Sequence, residues 1–203
     1  MTDGTLVTHG VLALVSLAVG IVALVVLHVV PTGYSPLRDA VSDYGVGRYA
    51  WGYRTQVVAI GVAAAIEAGG FAHNGAVGTA GIVWLVGYAI SRVAIAWAPT
   101  DLPGTTRTPT GRVHALLAIA AFTAIAVATS TIPNDLRGVA AWDSWADPLN
   151  TLGTLVVVAA IATAAAIVVG PLRQVFGLVE RLLYVASLAW LLTAAIAFVA
   201  LGS

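Results

Sequence analysis

Apolar positions in this chain come in long, nearly unbroken runs, with no strand-like alternation and no narrow one-sided stripe. A helix that is hydrophobic all round belongs in lipid or in a large core. Crossing about 30 Å of hydrocarbon takes about 20 mainly apolar residues. Six runs qualify: Gly10–Val30, Thr55–Ala72, Ala76–Ala98, Val113–Ile132, Leu149–Gly170 and Phe176–Leu201. Pro31, Pro99, Pro133 and Pro171 stand at or just past the ends of the first, third, fourth and fifth runs, and Pro148 opens the fifth; proline cannot continue a helix, so these ends are expected there. The first run lacks a basic leader and a small-residue cleavage pattern, so it reads as a retained span and not a signal peptide. The prediction is an all-α polytopic membrane protein: one integral membrane domain over residues 1–203, a bundle of six transmembrane helices.

Between the first two runs lies the most informative polar stretch, Pro31 to Gly45. Ser35 before Pro36 reads as a helix start and Gly45 as a stop. Leu37, Val41 and Tyr44 share one face of that short segment; Arg38 and Ser42 share another, as do Asp39 and Asp43. The pattern predicts a short amphipathic helix lying against the bundle, either a lid or anchor, or the wall of a polar site.

Composition agrees with the spans: 60% of residues are hydrophobic, 9% are charged, and the formal net charge is zero. A neutral chain lacks the basic surface that nucleic acid requires. Without cysteine there are no disulfides, thiolate metal sites or thiol nucleophiles. All nine basic residues are arginine, and their placement is lopsided: Arg38, Arg48, Arg54, Arg107, Arg112, Arg173 and Arg181 flank the loops after the first, third and fifth spans, against Arg137 alone on the other side. The positive-inside rule then puts those loops in the cytoplasm and both termini outside, in the cell membrane. On the outer side Asp135, Asp143 and Asp147 with Trp142 and Trp145 form an acidic aromatic loop. Each half reads helix, long loop, helix, short loop, helix, which would make an inverted repeat. The residue echo is thin, Leu37-Arg38 against Leu136-Arg137, and six helices with uneven loops are the preferred reading of the pattern.

Small residues recur at four-residue spacing, as Gly61, Ala65 and Gly69 in the second span and Ala162, Ala166 and Gly170 in the fifth. Such stripes let helices approach closely inside a bundle; one of them could instead serve a homo-oligomer. Ionisable groups at membrane depth are costly, and each is a functional candidate. Glu67 lies roughly 20 Å in from the Arg54 boundary, on the side of its helix opposite the glycine stripe. Arg92 lies roughly 10 Å from the boundary near Pro99 and needs a carboxylate, a phosphate or water there; Asp39, Asp43, Asp101 and Glu180 are on its side of the membrane. His28 and His114 fall on that side, His9 and His73 on the other, all near span ends and without metal-ligand spacing, so no metal or cofactor is expected.

Several segments carry a resemblance: Tyr34-Ser35-Pro36-Leu37 with Ser42-Asp43-Tyr44-Gly45, then Ala98-Pro99-Thr100-Asp101, then Gly111 to His114. Together they resemble the uncharacterised prokaryotic membrane family catalogued as domain of unknown function 998. This sequence departs from the pattern at Ala98, where a bulkier residue is expected before the proline. The resemblance covers nearly the whole chain and implies an architecture more than an activity. It also implies that Ser35, Ser42, Asp43, Asp101 and His114 share one end of the bundle.

Three functions follow as expectations. The first is binding of a membrane lipid or small amphiphile in a polar pocket at the cytoplasmic end, with Arg38, Asp39, Asp43, Arg92, Glu67, Glu180 and Arg181 as candidate binding residues. The second is an intramembrane lipid-modifying enzyme, with His114 as general base, Asp101 orienting it, and Ser35 or Ser42 as nucleophile. The third is a small transporter using Glu67 and Arg92.

Overall fold

The structure, a computed structural model, describes residues 3–203. Its helices are α1 (Gly4–Val29), α2 (Ala50–Asn74), α3 (Thr79–Ala94), α4 (Pro109–Leu136), α5 (Asp143–Val168) and α6 (Phe176–Gly202). A 3₁₀ turn over Ile95–Trp97 prolongs α3, and with such extensions all six are long and apolar enough to cross a membrane. Each helix packs against the next and α6 closes on α1, so the six form a ring; α2 also touches α6 across its middle. Those two helices are accordingly the most buried, and α5 the most exposed to surrounding lipid.

The ring is fastened where its ends meet. The Asp3 N–H donates to the Gly202 carbonyl at 2.9 Å. The Asp3 carboxylate accepts from the Thr5 and Leu6 N–H groups, capping α1, and also bonds His73 Nε2 at 3.0 Å near the end of α2. Both ends of the described chain therefore lie at one end of the bundle, and the Arg-rich loops lie at the other. Those hydrogen bonds and the Leu6 N–H hold the Asp3 carboxyl below the usual range.

Most helices run past the apolar runs that announce them, because polar residues finish their turns. Asp3 caps α1, which begins at Gly4, six residues before Gly10. Gly75, in the left-handed region at φ 72°, ends α2 beyond Ala72. Pro133 does not stop α4 and Pro148 does not open α5; both lie inside helices. Pro133 has no N–H to give the Thr129 carbonyl one turn back. That freed carbonyl meets Gly153 of α5, where a Cβ would collide with it, so proline and glycine together make the close α4–α5 approach. The α4–α5 connection shrinks to residues 137–142, against 30–49 between α1 and α2, so the second half lacks the long first loop of the sequence pattern.

Packing adds detail to two further expectations. Trp142, read as part of the outer acidic aromatic loop, is fully buried: its Nε1–H donates to Asn74 Oδ1 at 3.0 Å, and its ring packs with Phe71 and Phe198. The glycine stripe of α2 does not form one seam. Gly61 meets the Ala89 carbonyl and Val93 of α3, Ala65 is exposed, and Gly69 faces His9 of α1. In α5 the buried seam includes Gly153, Ala159, Thr163 and Ala166, while Gly170 is exposed.

Candidate functional site

The short helix after the first span is present as a 3₁₀ helix over Val41–Gly45, and its four inward residues, Val41, Asp43, Tyr44 and Gly45, are buried. It begins later than Ser35 because the local acids compete for the backbone. Asp39 Oδ2 accepts from the Ser35 N–H at 2.6 Å and Asp43 Oδ2 from the Ala40 N–H at 3.0 Å, which turns the chain before a helix can form. Leu37 and Arg38 are left exposed.

This loop docks onto the start of α6. Gly177 lies where a side chain would strike the Pro36 and Asp39 carbonyls, and the Leu178 N–H donates to the Leu37 carbonyl at 3.1 Å. Buried Glu180 accepts from the Val41 N–H at 2.6 Å, at the first turn of the 3₁₀ helix. Arg181 joins four places: Nε donates to His28 Nε2 (2.8 Å), Nη1 to the Asp39 carbonyl (2.8 Å) and the Gly177 carbonyl (2.9 Å), and Nη2 to the Tyr44 hydroxyl (3.0 Å). His28 Nδ1 in turn bonds the Leu24 carbonyl at 2.8 Å. Every Arg181 nitrogen is thus used in holding α1, the loop and α6 together. Burial pushes the Asp43 carboxyl up to about 6, and burial with the nearby Asp43 and Asp39 charges raises the Tyr34 hydroxyl.

Arg92 is different. It is 2% exposed, deep between α2, α3 and α6. Nη1 donates to the Tyr184 hydroxyl at 2.8 Å and Nη2 to Gln56 Oε1 at 3.0 Å, and the guanidinium carbon lies 4.8 Å from the centre of the Tyr184 ring. Its Nε–H has no partner, nor has the Gln56 amide nitrogen. No carboxylate answers the charge: among the described residues the only close pairing of a basic with an acidic group is His73 with Asp3. The ion pair expected with Asp39, Asp43, Asp101 or Glu180 is not formed, since Glu180, Asp39 and Asp43 bond backbone N–H groups and Asp101 bonds Thr108. A narrow crevice of about 10 Å³ adjoins Arg92, with Tyr88, Tyr184 and Ser187 as its polar lining and Ile60, Phe122 and Leu188 among its apolar walls. Gln56 and Tyr184 were not among the residues the sequence singled out; an amide and a phenol within apolar runs were the available signal.

His114 and Asp101 do not form a dyad. His114 Nδ1 bonds the Ala98 carbonyl at 2.6 Å. Asp101 is bound to Thr108, accepting from its N–H at 2.9 Å and its hydroxyl at 2.7 Å, and these bonds hold its carboxyl below the usual range. Thr108 Oγ1 then caps α4 through the Gly111 N–H, at 3.0 Å. Gly111 is required because any side chain there would strike the Asp101 carboxylate. Asp101 is therefore a cap that orders the α3–α4 turn. Ser35 and Ser42 make no side-chain hydrogen bond with His114.

Glu67 lies in α2 on the far side of the cavity from the Arg-rich end. It is fully buried and neither carboxyl oxygen has a partner, but it does not line the cavity with Arg92. No group of three or more potential metal ligands occurs among the described residues.

Residues 3–197 match the family described as "protein of unknown function (DUF998)". The chain belongs to that family. No curated protein and no solved structure matches it. The resemblance stated on those segments is borne out over nearly the whole DUF998 chain, and the structure gives the segments physical roles. Tyr34 to Gly45 form the loop seated on α6, and Ala98, Asp101, Gly111 and His114 tie the α3–α4 turn together.

Proposed function

We propose that this membrane protein binds the anionic head of a lipid or small amphiphile at Arg92, inside the Arg-rich end of the bundle. The observation that carries the reading is a buried guanidinium without a countercharge, beside two unpartnered N–H donors and a cavity. Leaving a buried charge unpaired is costly, and a planar guanidinium is suited to a carboxylate or phosphate with two oxygens. Nε of Arg92 and Nε2 of Gln56 supply donors beyond those already bonded to Tyr184 and Gln56 Oε1. The apolar walls and partly exposed Phe122 suit the first carbons of a chain, with the remainder lying in lipid on the α4 and α6 side. By the positive-inside rule this end faces the cytoplasm of the cell, and the ligand enters from the inner leaflet.

This reading is preferred to an enzyme because Asp101 and His114 are committed to separate backbone work. It is preferred to a transporter because Glu67 is not in the Arg92 cavity. Native mass spectrometry of the purified protein, with identification of extracted amphiphiles, tests it. One retained anionic amphiphile is expected, depleted in Arg92→Met. An unchanged lipid profile in that variant, or no bound amphiphile in either protein, overturns the proposal.

A further inference from the structure

The interior holds a second buried group that the Arg92 site does not use. Glu67 is 0% exposed and has neither oxygen bonded, an arrangement too costly to be incidental in a bundle otherwise filled by alanine, leucine and aromatic rings. On the side of the chain ends it is closed off. Phe71, one turn further along α2, packs edge-on to Phe198 at 4.8 Å and against Trp142 at 5.7 Å, and Trp142 is tied to Asn74. On the other side stands Tyr88 of α3, which lines the Arg92 cavity next to Ala89, the residue on which Gly61 of α2 packs.

We infer that Glu67 is a proton-binding site inside the membrane bundle, reached from the Arg-rich end past Tyr88 and sealed from the opposite end by the Phe71–Trp142–Phe198 cluster. The step is simple: a carboxylate oxygen of Glu67 takes a proton delivered by a hydronium ion at the Arg-rich end, leaving water there, and returns it by the same route. A metal cation is a poor occupant, because such ions take about six oxygen ligands and no group of three or more potential ligands occurs among the described residues. The ionisable neighbours from the packed helices are few. Tyr88 and Arg92 on α3 and Tyr184 on α6 border the cavity, Glu180 on α6 is bound to the Val41 N–H, and His9 of α1 lies beside Gly69 on the other side of α2. Trp190 of α6, whose buried Nε1–H is also unpartnered, packs on Phe71 and carries no charge.

The test uses the whole chain reconstituted in lipid vesicles. Dicyclohexylcarbodiimide, which attacks protonated carboxyls in apolar surroundings, should label the peptide containing Glu67 in the wild type and leave it unlabelled in Glu67→Gln. Infrared difference spectra between acid and alkaline buffer should show a carboxylic-acid carbonyl band that Glu67→Gln lacks. Tyr88→Phe should retain the band but slow its shift on transfer to D₂O several-fold. Wild-type protein whose Glu67 is never labelled and gives no titrating band would overturn the site, whether or not the variants fold. A Tyr88→Phe band that exchanges at the wild-type rate would overturn the route.

Discussion

Arg181 and Arg92 are both guanidiniums held at the Arg-rich end without a carboxylate, and they have opposite relations to the fold. Arg181 spends all three nitrogens on four acceptors drawn from α1, the first loop and α6. Arg92 spends two, leaves Nε unpaired, and borders a cavity. Both donate to a tyrosine hydroxyl and lie over that tyrosine's ring, Tyr44 for Arg181 and Tyr184 for Arg92. What separates them is satisfaction. A charge whose donors all have protein acceptors is an element of architecture, whereas a charge with donors to spare is adapted to something that arrives from outside.

The largest effect should come from breaking the satisfied one. Arg181→Ala removes hydrogen bonds from a charged group to three segments and strands buried Tyr44 and the Asp39 carbonyl, at a cost of about 3 kcal/mol. Thermal unfolding in detergent should show the loss, and limited proteolysis should cut between residues 31 and 49 in the variant first. Resistance of that loop to proteolysis in Arg181→Ala would remove the contrast with Arg92.

Asp43, seated in the same docked loop, sharpens the comparison by pulling the other way. Its carboxyl is raised by burial from an ordinary 3.8 to about 6. The folded state therefore holds this proton more tightly than the unfolded chain does. Folding loses stability as pH rises from about 4 through about 6, amounting to about 3 kcal/mol at neutral pH. Asp43→Asn keeps an oxygen to accept the Ala40 N–H and cannot ionise. It should be more stable than wild type at neutral pH by about that amount and indistinguishable near pH 4. A pH-independent difference between the two proteins would show that the effect is packing and not charge.

Arg92→Met should behave unlike Arg181→Ala. Replacing a buried, unpaired charge by an apolar side chain of similar length is often neutral or stabilising, so thermal stability should stay within about 1 kcal/mol of wild type or rise. Affinity for an anionic amphiphile, read by quenching of the tryptophans with brominated lipid, should fall at least tenfold, or about 1.4 kcal/mol. A large loss of stability with unchanged lipid affinity would make Arg92 a second Arg181.

The number of spans was legible because lipid imposes length and apolarity on each helix separately, and neither depends on neighbours. Helix ends were less so. Pro133 looks like a stop in isolation and is tolerated because Gly153, from the next helix, makes room for the carbonyl it frees. The same division runs through the site. Arg92 and Glu67 were conspicuous as charges at depth, and the nearness of Arg92 to the Arg-rich end followed from helix parity. Their surroundings were not legible: Gln56, Tyr88 and Tyr184 come from three helices, and α2 meets α6 only because the ring folds across its middle. Asp101 and His114 illustrate the converse. Nearness in sequence suggested a dyad, but a carboxylate ahead of a helix finds the N–H of Thr108 first, and the imidazole finds a backbone carbonyl.

The smallest expected effect isolates that capping role on the Arg92 side of the molecule. A Cβ at Gly111 would strike the Asp101 carboxylate, so Gly111→Ala must displace it from Thr108 and lower the unfolding temperature. In an Asp101→Ala background there is nothing left to strike. The second substitution should then cost less than it does in wild type, and the shortfall measures the pair's coupling. Asp101→Ala alone should also flatten the acid limb of the stability profile. The carboxyl is held below its ordinary range in the folded protein, so the stability it contributes is present above the unfolded value and is lost as pH falls through the folded one. Both readouts concern the start of α4, where His114 is held against Ala98, and not the cavity. If Asp101→Ala left the unfolding temperature and its acid limb unchanged but abolished amphiphile retention, the carboxylate would belong with Arg92 as part of a ligand site; the hydrogen bonds to Thr108 place it with Arg181, among the charges that the fold itself consumes.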